Sequence, residues 1–211
     1  MSPPGRPKGE YRSVQHEGTT IFHRDLGLAL VRIARAAIGS RLGAGGDAVP
    51  GHAALDRPGA TFVTLMQDDE LRGCIGTLEP VRPLGIDVRE NALAAAFRDP
   101  RFEPMRADEF EATAVEVSLL SASEPVVFVD EAHLMAQLRP GVDGVILEYG
   151  RHRATFLPQV WDALPSPGDF LAALKRKAGL PVDFRDAAMN VRRYAVIKWK
   201  ESDFVEDRVE R

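Results

Sequence analysis

The chain has 211 residues, 45% of them apolar, enough for one large domain or a domain with a smaller lobe around a buried core. Its 27 basic against 31 acidic residues leave a net charge of -4, which removes any general pull toward nucleic acid or an anionic membrane surface. A single cysteine excludes an intramolecular disulfide and fits a reducing cytoplasm, and no apolar run approaches the ~20 residues needed to span a bilayer.

Residues 1–19, rich in proline, glycine and charge and without the apolar core of a signal peptide, read as a flexible tail. Asp25 to Ile38 reads as the first helix, capped by Asp25, with Leu26, Leu30, Ile33, Ala34 and Ala37 on one face. The glycine-rich stretch from Gly39 to Gly59, which includes His52, reads as a long loop. Thr61 to Met66 is β-branched and apolar on both faces, as an internal strand requires. A polar turn at Gln67 to Glu70 returns the chain through Leu71-Arg72-Gly73-Cys74-Ile75-Gly76-Thr77 as an antiparallel hairpin.

Pro83 starts the next helix, with an apolar stripe of Ile86, Leu93, Ala96 and Phe97, and Asp99-Pro100 stops it. Residues 98–104 form a stiff charged loop. Thr113 to Leu120 alternates as a strand, with Val115, Val117 and Leu119 toward a core and Glu116 and Ser118 on the other face. Asp130 caps a short helix to Leu138. Val145 to Tyr149 and His152 to Leu157 form a hairpin about Gly150-Arg151. Ser166-Pro167 starts a helix that Gly179 and Pro181 close. Val191 to Trp199 reads as the last strand, followed by a charged tail at 206–211. Two clear hairpins without a strict βαβ series give an α+β fold with an antiparallel or mixed sheet flanked by helices.

Cys74 is the leading chemical candidate. Glycines on both sides of it suit a bulge or a backbone that something must approach closely. With strict alternation, Arg72, Cys74 and Gly76 share one face, and Arg72 would hold the sulfur as thiolate, ready as a nucleophile or redox group. Against this stands the ordinary use of a free cysteine as a small buried hydrophobe. Arg72, Arg98 and Arg101 could clamp a carboxylate or phosphate, or Arg98 and Arg101 could brace their loop against Asp99 and Glu103. The bracing role is the commoner one. No Cys-x-x-Cys, His-Glu-x-x-His, P-loop or Gly-x-Gly-x-x-Gly spacing occurs, so no metal or cofactor is expected. The run Lys175-Arg176-Lys177 suits a helix end better than a nucleic-acid patch.

The stretch Leu71 to Thr77, followed by Pro80, resembles the signature of the AMMECR family, also called AmmeMemoRadiSam system protein A in prokaryotes. Further blocks match in order: Ala95 to Pro104, Glu116 to Ser121, Gly141 to Leu147, Phe156 to Val160 and Leu174 to Leu180. The resemblance covers residues 20–205 and implies a single domain of a larger and a smaller subdomain, with the motif residues gathered at a cleft. It implies a cytoplasmic protein that works beside a Memo-like protein and a radical S-adenosylmethionine protein. It places Cys74 and Arg72 as catalytic candidates. Gly73, Ile75, Gly76, Arg98, Asp99, Arg101, Phe102, Glu116 and Gln159 are then expected to contact a small anionic substrate. Members of the family often carry a second cysteine where this chain has Leu174, which counts against a two-cysteine redox cycle. Two readings follow: an enzyme or enzyme subunit using Cys74, or a non-catalytic protein-binding module.

Overall fold

The computed structural model describes residues 17–45, 48–186 and 188–208. Of the expected tails, residues 1–16 and 209–211 lie outside these. Helix α1 (Glu17–Leu42) is longer at both ends than its periodicity predicts, so Asp25 is an exposed residue within the helix and not its cap. Its buried face is Leu26, Ala29, Leu30, Val31, Ala34 and Ile38. The glycine-rich loop that follows contains a 3-10 turn (Ala53–Asp56), whose first free N–H, on Ala54, is taken by His52 Nδ1.

β1 (Pro58–Gly59) leads into β2 (Thr61–Gln67), and β3 (Glu70–Gly76) returns beside it after a turn at Asp68 and Asp69, both at positive φ. β4 (Arg82–Pro83) pairs with β1. Helix α2 (Leu84–Phe97) begins just after Pro83, which caps it from outside. Its buried face is Leu84, Asp87, Val88, Asn91, Ala92, Ala95 and Ala96; of the expected stripe, Ile86 is exposed and Leu93 and Phe97 are half-buried. Two polar residues displace the apolar stripe because they serve a buried network. Asp87 Oδ2 accepts hydrogen bonds from Thr61 N at 2.8 Å and Thr61 Oγ1 at 2.7 Å, and Oδ1 accepts from Thr77 Oγ1 at 2.6 Å and Arg82 Nε at 2.8 Å. Asn91 Nδ2 adds 2.9 Å to Asp87 and 3.0 Å to Thr61 O. A buried carboxylate is tolerable when its oxygens are satisfied in this way, and here it ties the helix to the open end of the β2–β3 hairpin.

β5 (Thr113–Leu120) pairs with β2, and the large sheet runs in the order β10-β5-β2-β3. The smaller subdomain follows. It comprises β6 (Glu124–Pro125), α3 (Glu131–Gln137), β7 (Gly144–Tyr149), β8 (His152–Phe156), a 3-10 turn at Pro158–Asp162, and α4 (Pro167–Lys177). Its sheet runs β6-β9-β7-β8. The single strand expected from Val191 to Trp199 is two. β9 (Asn190–Tyr194) belongs to the smaller sheet and β10 (Val196–Lys200) to the larger. The chain changes sheets at Ala195, where Ser121 N donates to Ala195 O at 2.9 Å and Ala195 N donates to Ser121 Oγ at 3.0 Å. A closing 3-10 segment spans Glu201–Arg208. Every pairing is antiparallel.

Two cores result. α1 and α2 cover one face of the large sheet with Val63, Leu65, Val115 and Val117 beneath them. α4 covers the smaller sheet with Phe170, Leu171 and Leu174, and Trp161 stacks on Phe170 at 3.7 Å. A third cluster, Ala60, Leu120, Ile146 and Tyr194, joins the two subdomains. The fold is thus α+β, with a larger and a smaller subdomain. Among the described residues no helix is long and apolar enough to cross a membrane.

Candidate functional site

The bulge anticipated beside the cysteine lies at Arg72. Leu65 pairs with Gly73 and Met66 with Leu71, so Arg72 is the extra residue of β3. Alternation breaks there, and its guanidinium takes a different course from the one expected. Arg72 Nε donates to Glu109 Oε1 at 2.9 Å, Nη2 donates to Glu103 O at 2.9 Å, and the group lies 5.9 Å from the centre of the Phe102 ring. The expectation that Arg72 holds the Cys74 sulfur as thiolate is corrected accordingly: its charge is met by Glu109. The same pair holds the Glu109 carboxyl below its ordinary range, chiefly through the hydrogen bond from Arg72.

Cys74 itself is half-buried. Thr64 Oγ1 lies 3.3 Å from its sulfur. Cys74 stands on an edge strand, and side chains of the following loop occupy both of its outward backbone groups. Cys74 N donates to Asp99 Oδ2 at 2.8 Å, and Arg101 Nη2 donates to Cys74 O at 3.1 Å. Asp99 and Arg101 are joined at 2.9 Å and 2.7 Å. Together they stand in for the missing neighbouring strand. Because these backbone groups point away from β2, Cys74 and Thr64 form the non-hydrogen-bonded kind of pair, whose side chains approach most closely. Asp99 is buried and its carboxyl is held well below the usual aspartate range, first by the hydrogen bonds from Arg101 and then, against the cost of burial, by Cys74 N. This joins the first two sequence blocks physically: the loop after α2 is the edge clamp of the cysteine strand.

The arginines do not form the anion clamp considered from sequence. Arg72 is engaged by Glu109 and Arg101 by Asp99, while Arg98, largely exposed, lies 3.8 Å from Glu90. The bracing role prevails. The glycines also have another reason. A Cβ on Gly73 would stand 2.3 Å from Ala95 O in α2, and one on Gly76 would stand 2.3 Å from the Phe62 ring. Helix and ring occupy the room that sequence reasoning reserved for a ligand. Ile75 packs against the main core. Phe102 lies beneath both Arg72 and Arg101.

The other face of the large sheet, away from α1 and α2, carries a polar row and, beside it, a mixed one. In register across the strands stand Cys74, Thr64, Glu116 and Lys200; the next row is Gly76, Phe62, Ser118 and Lys198. Glu116, 8% exposed, is met by Lys198 and, at 3.4 Å, by Lys200. Beside the second row a cavity of about 570 Å³ opens toward the smaller subdomain, lined by Ser118, Lys198, Val196, Ile197, Pro158, Gln159, Asp162 and Gly141. Gln159 therefore borders the same face of the sheet as Glu116 and Cys74, across the cavity from Ser118. The sequence reading missed Thr64, Glu109, Lys198, Lys200 and Asp162. Lys198 and Lys200 carry a period-two signal, hidden because their strand was merged with its neighbour. Among the described residues, no three His, Cys, Asp or Glu are grouped to hold a metal ion.

The fold and this face define a two-subdomain α+β protein with a lone thiol on an open sheet beside an inter-subdomain cavity. Residues 31–199 match the AMMECR1 family model, and the chain belongs to that family. A protein of Methanothermobacter thermautotrophicus is 41% identical over 184 residues, spanning 81% of this chain and 92% of its own. One of Thermofilum pendens is 41% identical over 148 residues, 67% and 68% of the two chains. The crystal structure titled Uncharacterized Protein PH0010 from Pyrococcus horikoshii superposes with a TM-score of 0.72 at 34% identity, covering 83% of this chain and 91% of that one.

Proposed function

We propose that this protein is a cytoplasmic enzyme, or a subunit of one, that holds a small anionic substrate on the open face of the large sheet and uses the Cys74 thiol on it. The observation that carries this reading is the row Cys74–Thr64–Glu116–Lys200: a half-buried thiol in register with polar and charged groups on the face the helices leave bare. An apolar face would serve packing alone, whereas a row of this kind offers a substrate both polar anchors and a soft nucleophile. Asp99 and Arg101 act as positioning residues that hold the backbone of Cys74. The test is to incubate the protein with small-molecule extract of its own cells and follow metabolite levels. A compound consumed by the wild type and spared by Cys74→Ser supports the reading; identical profiles contradict it.

A second reading, a docking module working with the Memo-like and radical S-adenosylmethionine proteins that the family resemblance implies, is favoured by one feature. Val127 and Val129 of the smaller subdomain are 79% and 86% exposed, an unusual display of neighbouring apolar side chains. Under that reading, Val127→Asp with Val129→Asp abolishes biological activity and Cys74→Ser preserves it. The enzymatic reading predicts the reverse.

A further inference from the structure

The cavity between the sheet and the 3-10 turn at Pro158–Asp162 is lined by groups of both charges and by a serine. Ser118 is 7% exposed and lines the cavity. A serine hydroxyl on such a wall can both donate to and accept from a bound molecule. Its cross-strand partner is Lys198, which lines the same wall. Side chains directly opposite across an antiparallel pair stand about 5 Å apart, so one bound group can meet both. The ammonium of Lys198 has three N–H donors, and its ion pair with Glu116 leaves others for a ligand. Glu116 is also met by Lys200, so the carboxylate does not cancel the positive charge of this wall.

The opposite wall differs in sign. Gln159 and Asp162 stand on the 3-10 turn, exposed, with side chains that no described residue engages. Val196 accompanies Lys198 on the sheet wall and Pro158 accompanies Gln159 on the turn, so each wall carries apolar surface beside its polar groups. We propose that this cavity is the subsite for a small bipolar molecule. Its carboxylate is received by Lys198 and Ser118, its apolar body by Val196 and Pro158, and an amine at its far end by Asp162 and Gln159. The volume of about 570 Å³ suits a metabolite, and Asp162 opposes any polyanion such as a nucleotide. The inference rests on the proposal that the open face holds substrate, and it relocates the anion from the arginines near Cys74 to Ser118 and Lys198.

The experiment titrates the full chain, labelled with ¹⁵N, with ε-aminocaproate, caproate and hexylamine as probes. The expected result is that ε-aminocaproate shifts the amides of Ser118, Gln159 and Lys198 at millimolar concentration. Caproate and hexylamine, each lacking one end, bind more weakly. Ser118→Ala, Lys198→Met and the exposed-site variant Gln159→Ala each weaken binding, Lys198→Met by about tenfold. Binding is read in the wild type without turnover, so a failure of the thiol reading is separable from a failure of this one. The inference is overturned if none of the probes moves these amides, if hexylamine binds as tightly as ε-aminocaproate, or if the shifts gather at Arg98 and Arg101.

Discussion

Cys74 owes its place to two side chains twenty-odd residues later in the chain. Asp99 accepts its N–H and Arg101 donates to its carbonyl, so an exposed strand edge is closed without a further strand. Asp99→Asn keeps the shape and removes the charge. The expected cost is about 2 kcal/mol, since Asp99 is buried and accepts from both a guanidinium and a backbone N–H. The pH dependence has a definite sign. The folded protein holds the Asp99 carboxyl below its ordinary range, so the stabilisation is fully present above the ordinary value of ~3.9 and is lost as pH falls beneath it. Urea midpoints should decline more steeply below that pH in the wild type than in Asp99→Asn; equal slopes would contradict the clamp. At this scale the local crowding around Cys74 is legible in the sequence, but its cause is not. The glycines beside Cys74 do mark a close approach, but α2 and Phe62 are what approach. Unbroken alternation would bring Arg72 beside the sulfur, and one extra residue in β3 turns it to Glu109 instead.

At the scale of elements, β3 lies against α2 with no side chain between them at Gly73. Gly73→Ala would set a methyl 2.3 Å from Ala95 O, a backbone atom that cannot swing aside. A destabilisation of about 2–3 kcal/mol is expected from thermal or urea unfolding, and a variant as stable as wild type would refute that packing. Strand hairpins, the caps at Asp130 and Ser166, and the Gly150 turn were all legible, because each depends on neighbours in sequence. The apolar stripe of α2 and the final strand were not. Asp87 and Asn91 look like surface residues until Thr61, Thr77 and Arg82 arrive from elsewhere to satisfy them. Residues 191–199 have unbroken strand character, and only the pairing of β9 and β10 with different sheets divides them.

The whole molecule is two cores joined through a small apolar cluster and two chain crossings. Tyr194 is central to that junction: its hydroxyl lies 3.0 Å from Thr155 Oγ1 and 3.2 Å from Phe156 O, and its ring packs on Gly144. Burial pushes its phenol up to about 12. The raised value makes the sign plain: stability is intact below the ordinary ~10 of an unfolded tyrosine and is lost as pH rises toward 12. Tyr194→Phe should remove that alkaline component while costing about 1 kcal/mol at neutral pH; an alkaline transition unchanged in the variant would refute the assignment. The ion pair of Arg153 with Glu79 also spans the subdomains, but both partners are largely exposed and Glu79→Gln should change stability by less than about 1 kcal/mol.

The central claim is that Cys74 presents a usable thiol on the open sheet face, with its backbone held by the Asp99–Arg101 clamp. The most direct measurement is the rate at which iodoacetamide alkylates Cys74 in the native protein, with and without Arg101→Ala. The structure predicts that labelling proceeds in the folded state and that its rate changes when the clamp is removed. Labelling that appears only after denaturation, at a rate indifferent to Arg101, would contradict it.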